Sequence, residues 1–117
     1  MNKSKKILVV EDQRIIASVY SMLLSKKGYN VGIATNVSDA LRNAKQMNPD
    51  IIIMDVQLNE KLTGIDIARQ LRAEGYNCPI IFTTGNLYKQ TKQEVADIDN
   101  CSVLIKPVEF AEIEKFL

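Results

Sequence analysis

The hydrophobic pattern opens with Ile7-Leu8-Val9-Val10, four aliphatic residues in a row, and stops at once on the acids Glu11-Asp12. A short unbroken apolar run fits a strand buried on both faces. Ile51-Ile52-Ile53-Met54, Pro79-Ile80-Ile81-Phe82-Thr83 and Val103-Leu104-Ile105 repeat the pattern, and a shorter stretch from Val31 to Ala34 joins them. The segments between them change to helical spacing. Ile16, Val19, Tyr20 and Leu23 mark a helix from about Gln13 to Lys27, which Gly28 can end by taking a left-handed conformation. Asn36 or Ser38 can cap a second helix to about Met47, and Asn48-Pro49-Asp50 breaks it. Asp55 to Thr63 reads as loop. A third helix runs from Gly64 to about Glu74 with Ile65, Ala68 and Leu71 on one face, and a polar fourth runs from Leu87 to about Asp97. Phe110, Ile113 and Leu117 mark a last, short helix.

Strands alternating with helices, each strand apolar throughout, predict an α/β fold of three layers: a doubly wound parallel sheet of five strands between two layers of helices. The 117 residues suit a single domain over 1–117, which a longer protein could contain. Hydrophobic residues make up 46% and charged residues 25%, an ordinary balance that permits one sizeable core. The net charge of +1 offers no basic excess for direct nucleic-acid binding, and the lysines at 3, 5 and 6 read as a solvated cluster. No apolar run is long enough to span a membrane. The two cysteines, Cys78 and Cys101, form no CxxC pair, which suits a reduced, cytoplasmic chain. The absence of histidine excludes imidazole metal sites and histidine-based nucleophile systems.

Parallel sheets of this kind bind ligands beyond the carboxyl ends of their strands. At those ends stand Glu11-Asp12, Asp55, Thr83-Thr84-Gly85 and Lys106-Pro107. Each has an ordinary alternative: Asp12 as a helix cap, Asp55 as a turn residue, Thr84 as a strand end, Lys106 as surface punctuation. Together they place three carboxylates, a hydroxyl and an ammonium at one edge. Three carboxylates in contact call for a cation, and an all-oxygen ligand set suits Mg²⁺, with Mn²⁺ as a second choice. An ammonium and a hydroxyl beside them suit an anion. The set describes a carboxylate that takes up a phosphoryl group.

ILVVED, IIIMDVQL, PIIFTTG and IKP, in this order from about Lys5 to Leu117, resemble the receiver domain of two-component response regulators. The resemblance implies a flavodoxin-like sheet of order 2-1-3-4-5. It implies Asp55 as phosphoacceptor, Asp12 as a direct Mg²⁺ ligand, Glu11 acting on the metal mainly through water, and the backbone carbonyl of Gln57 as a further ligand. Thr84, five residues after Pro79, would donate to a phosphoryl oxygen, and Lys106 would pair with the phosphoryl group. The Lys106-Pro107 bond becomes a candidate cis peptide. The implied donor is a phosphohistidine on a histidine kinase or a phosphotransfer protein in a phosphorelay. The implied product is a conformational switch, with the domain promoting its own phosphorylation and dephosphorylation rather than turning over a separate substrate.

Three features depart from the family pattern. Val103 stands where an aromatic is common, Leu58-Asn59 replaces a Met-Pro pair with Gly64 nine residues after Asp55, and Val108 follows Lys106-Pro107 where an aromatic is usual. Phe110 is positioned to fill the last gap. The amides Gln57 and Asn86, each two residues past a site residue, are expected to tune the lifetime of the phosphoryl group. Strand five and the last two helices, with Lys89, Lys92, Glu94, Asp97, Glu112 and Lys115, are where a homodimer would form. The competing reading is a protein-binding module of the same fold that is not phosphorylated. Failure to bind Mg²⁺ and beryllofluoride would select it. A phosphatase with an aspartyl intermediate would need an acid at position 57, and a flavin site would not tolerate Glu11-Asp12 after the first strand.

Overall fold

A computed structural model describes residues 5–85 and 87–117. Five parallel strands lie in the order β2-β1-β3-β4-β5: β1 (Lys6–Val10), β2 (Asn30–Ala34), β3 (Ile51–Asp55), β4 (Ile80–Thr84) and β5 (Cys101–Ile105). The helices between them are α1 (Arg14–Lys26), α2 (Val37–Met47), α3 (Gly64–Ala73), α4 (Tyr88–Glu94) and α5 (Phe110–Glu114). This is the doubly wound sheet that the pattern predicts, in the flavodoxin-like order that the resemblance implies.

Side-chain alternation divides the core into two layers. Leu8, Val10, Ile52, Met54, Ile80 and Phe82 face α2, α3 and the segment after α4. Ile7, Val9, Ile51, Ile53 and Ile81 face α1 and α5, where they meet Leu24 and Ile113. Every residue of β3 and β4 is buried, because both strands are interior and covered on both sides. The edge strands β2 and β5 are only partly covered, so they contribute fewer buried residues.

Several boundaries carry their physical cause. The Asn36 side chain accepts from the Asp39 amide at 2.8 Å, which selects Asn36 rather than Ser38 as the cap of α2. Gly28 has φ +92°, its amide reaches the Ser25 carbonyl, and the Tyr29 amide reaches the Leu24 carbonyl, the hydrogen-bond pair of a Schellman ending. Thr63 and Asp66 cap α3 reciprocally. The polar fourth helix is shorter than its sequence suggests; it stops at Glu94, and Val95 and Ile98 turn into the core beyond it. β5 starts earlier than Val103, at Cys101, through pairing with Ile80.

The apolar side of α1 differs from the expected stripe. The fully buried residues are Ala17 and Leu24, whereas Val19 is 46% and Ile15 82% exposed. The helix carries more apolar residues than one face can bury, and the small Ala17 lets it lie close to the sheet. Phe110 and Val108 both pack against the layer beneath α1 and α5, as the missing aromatic after Pro107 requires.

Candidate functional site

β1, β3 and β5 carry their last residues to one end of the sheet. Alternation continued past Ile7 and Val9 turns Glu11 toward the α1 and α5 layer, and the same rule turns Asp55 and Lys106 to that side. The three meet there. The Lys106 ammonium lies 3.0 Å from Asp55 Oδ1 and 3.8 Å from Glu11 Oε1. One carboxylate oxygen each from Glu11, Asp12 and Asp55 fall within 4.8 Å of one another. The Lys106-Pro107 peptide is cis, as expected.

Glu11 and Asp55 are each 2% exposed, so their charges are held by protein groups rather than by water. The Gln13 backbone N–H donates to Glu11 Oε2 at 3.1 Å, and the Gln57 backbone N–H donates to Asp55 Oδ1 at 3.2 Å. Burial still dominates at Glu11 and pushes its carboxyl up to about 7; the Gln13 amide opposes this, Asp55 and Asp12 add to it, and Lys106 opposes it again. A single ammonium against three carboxylates leaves the cluster short of positive charge. An all-oxygen set with that deficit fits a hard divalent cation.

Asp12 is not a helix cap. Gln13 occupies the cap position of α1, and Asp12 Oδ2 instead accepts from the Asn59 amide at 3.0 Å. That bond tethers the loop after β3 to the site. A second tether, from the Val37 amide to Glu60 Oε2 at 2.8 Å, ties the same loop to the start of α2. Glu60 carries no sequence signal for this role, because its partner lies 23 residues away and comes near only through folding. The longer loop still closes on the strand: Leu58 is buried, and the Gly64 amide reaches the Val56 carbonyl at 2.9 Å.

Thr84 ends β4 beside the same edge, and its carbonyl accepts from the Lys106 amide at 2.7 Å. Its side chain follows Ile80 and Phe82 to the opposite layer, where its hydroxyl accepts from Thr91 Oγ1 of α4 at 3.3 Å. The four charged residues are therefore together, while the Thr84 hydroxyl lies across the sheet from them. Thr83 is the residue in register with Asp55. Gln57 has an exposed side chain beside the site, and Asn86 lies outside the described residues, as does Lys3 of the N-terminal cluster. A groove of about 610 Å³ opens next to Glu11 and Lys106, walled by Ile15, Ile16, Val19, Tyr20 and Leu23 of α1 and by Pro107, Val108 and Phe110.

The family model for the response regulator receiver domain matches residues 7–117. The chain belongs to that family. Among curated proteins, this receiver domain is 40% identical over 81 residues to the alkaline phosphatase synthesis transcriptional regulatory protein PhoP of Bacillus subtilis, covering 69% of this chain and 33% of that protein. The chain thus spans about a third of the length of that relative. Among solved structures, the chemotaxis protein CheY4 of Vibrio cholerae superposes with TM-score 0.88 at 28% identity, over 97% of this receiver and 96% of that chain. The response regulator TrrA of Thermotoga maritima, solved in complex with Mg(2+)-BeF, superposes with TM-score 0.81 at 25% identity, over 96% and 95% of the two chains. Receiver domains are signalling domains of two-component systems. Among the described residues, no helix of this one is long and apolar enough to cross a membrane.

Proposed function

We propose that residues 1–117 act as one receiver domain whose Asp55 takes a phosphoryl group from a phosphohistidine, and that the resulting charge switches the surface of the domain. The observation that carries this reading is the Lys106 ammonium at 3.0 Å from Asp55, inside a cluster of three carboxylates. A buried carboxylate held by one lysine and one backbone amide has an oxygen in a fixed place to attack phosphorus. As the new O–P bond forms, the P–N bond to the donor imidazole breaks and its electron pair stays with the ring. Lys106 then serves the phosphoryl oxygens as a point charge. These 117 residues contain no histidine, so the donor lies outside them, on a histidine kinase or a phosphotransfer protein. The apolar groove between α1 and the segment after β5 gives that protein a seat beside Asp55.

Glu11, Asp12, Asp55 and the Gln57 backbone carbonyl would hold Mg²⁺, or Mn²⁺ in its place. Bound there, the ion would neutralise charge on the incoming phosphoryl group. Gln57 and Asn86 at the rim would govern how readily water reaches the acyl phosphate. The domain so described is a switch, not a turnover enzyme, and the reduced cysteines suit the cytoplasm. Ile105 and Leu87, exposed on β5 and ahead of α4, suit a homodimer formed through that face.

The direct experiment is labelling by a small-molecule phosphodonor with Mg²⁺, comparing the parent with Asp55→Asn. Label should appear on the parent alone. Equal labelling of the two would remove Asp55 from the role, and failure of the parent to bind Mg²⁺ and beryllofluoride would leave the non-phosphorylated binding module as the reading.

A further inference from the structure

The loop from Val56 to Thr63 joins β3 to α3 and contains no helix or strand. A segment of that kind keeps its shape only through bonds to its surroundings. Its first residues are fixed by the sheet: the Val56 N–H bonds the Thr83 carbonyl at 3.0 Å, and the Leu58 side chain is buried. Two polar tethers hold the exposed part that follows, one through Asn59 and one through Glu60.

The two tethers differ in what they depend on. The Asn59 N–H bonds Asp12 Oδ2, and Asp12 is one of the three carboxylates that would hold the cation. A cation on Asp12 draws electron density from that carboxylate and weakens it as an acceptor. Glu60 Oε2 instead accepts from the backbone N–H of Val37 at 2.8 Å, in the first turn of α2. The Asn36 cap is engaged with the Asp39 N–H, which leaves the Val37 N–H to an acceptor from outside the helix. The positive end of an 11-residue helix also favours a carboxylate there. Glu11, Asp12 and Asp55 take no part in this bond, so it holds the loop whatever those residues bind.

We propose that Glu60 is a positioning residue for the cation site: fastened to α2, it keeps the loop after Asp55 folded so that the Gln57 backbone carbonyl stays within reach of the cation. The inference rests on the Mg²⁺ site proposed above. Gln57 bonds Asp55 Oδ1 through its N–H at 3.2 Å, and its carbonyl begins the stretch that leads to Leu58, Asn59 and Glu60. A loop released at Glu60 lets that stretch turn. Ordering it again when the cation arrives then costs affinity that a fixed loop keeps.

Calorimetry of Mg²⁺ alone on the full chain tests this with substitutions at both ends of the bond. Glu60→Ala removes the acceptor. Val37→Pro removes the donor and leaves the Glu60 charge in place. Proline fits the first helical position, and Asn36 before it is already extended, as a residue before proline must be. Each substitution should weaken Mg²⁺ binding ~3- to 10-fold, and the two combined should weaken it no further. Glu60→Gln, which keeps an acceptor oxygen, should stay within about 2-fold of the parent. Asn36→Ala, which weakens the cap of α2 and spares the tether, should do the same. Without Mg²⁺, amide exchange over residues 57–62 should quicken in Glu60→Ala and Val37→Pro and not in the two controls.

Parent-like Mg²⁺ affinity in Glu60→Ala, or in a folded Val37→Pro, would overturn the proposal. An equal loss in Glu60→Gln would also overturn it, by assigning the effect to charge. An equal loss in Asn36→Ala would do so by assigning it to the stability of α2. A parent that binds Mg²⁺ while both tether variants match it sinks this inference alone. A parent that binds none removes the cation site, and this inference with it.

Discussion

Lys106 reaches back from the end of β5 to place its ammonium 3.0 Å from Asp55 Oδ1, the last residue of β3. The pair spans two strands with β4 between them, so it fixes the spacing of the sheet edge as well as the charge of the site. Lys106→Ala should therefore act with opposite sign on two ligands. Beryllofluoride affinity should fall by about 10-fold or more, since one charge-assisted hydrogen bond is lost. Affinity for Mg²⁺ alone should rise, because the ammonium no longer repels the ion. Calorimetry with each ligand separates the two effects, and a fall in both would mean that the lysine holds the site's shape rather than its charge. Stability should also fall, by more than the ~1 kcal/mol of an exposed pair, because Asp55 is 2% exposed and its carboxylate loses the ammonium beside it.

Glu11 gives the domain a distinctive pH dependence in the absence of divalent ions. Its carboxyl is raised from 4.5 to about 7 by burial. Between those values the folded protein holds a proton that the unfolded chain has released. Stability should thus fall as pH rises from 4.5 through 7 and level off above, with a slope of at most ~1.4 kcal/mol per pH unit. Urea unfolding across this range should show that slope in the parent and lose it in Glu11→Gln; matching curves would contradict the assignment. Magnesium ion must displace the same proton, so its apparent affinity should climb as pH rises through 7.

Asp12 combines a charge with a tether, and two substitutions separate them. Asp12→Ala removes both the carboxylate and the acceptor for the Asn59 amide, while Asp12→Asn keeps an acceptor oxygen. Both should lose Mg²⁺ affinity by an order of magnitude or more while the fold survives, since the lost ligand is a charged one. Only Asp12→Ala should quicken amide exchange at Asn59. Retained Mg²⁺ binding in Asp12→Asn would mean that the residue matters as a loop anchor and not as a ligand.

Much of this was legible in the sequence because it depends on short-range pattern. Runs such as Ile51 to Met54, alternating with helix-spaced segments, fit interior strands, and strand ends in a parallel sheet share one edge, so Glu11, Asp55 and Lys106 fall together on the pattern alone. Gly28 signals a helix end through its backbone freedom, and Asn36, one of two caps the sequence allows, does so through its side chain. What could not be read depends on rotation and distant pairing. The apolar residues of α1 outnumber those that one face can bury, so periodicity could not say that Ala17 and Leu24 would be inside and Val19 outside. Thr84 was placed at the correct edge, but alternation from Phe82 turns its hydroxyl to the other layer, toward Thr91. Glu60 and Arg72 are tertiary in origin: Arg72 donates to the carbonyls of Tyr76, Cys78, Asp99 and Asn100, which no local pattern announces.

Gly64 shows how a residue outside the charged cluster sets its geometry. The first residue of α3 lies directly against the end of β3, and its amide bonds the Val56 carbonyl at 2.9 Å. A Cβ added there would collide with the Asp55 carbonyl oxygen and stand 2.8 Å from Met54 Cγ. The first neighbour is backbone and cannot move aside cheaply. Gly64→Ala should therefore cost about 1–3 kcal/mol in urea unfolding, the usual range for overpacking. It should also displace Asp55, so that Mg²⁺ affinity falls although no ligand was changed. A matched substitution at exposed Gly75 would not serve as control, because its φ of +92° disfavours any side chain. Gly85, with open space around its Cβ position but close to the site, is better suited. Gly85→Ala should leave stability nearly unchanged, and equal losses in the two variants would show that steric contact at Gly64 is not the cause.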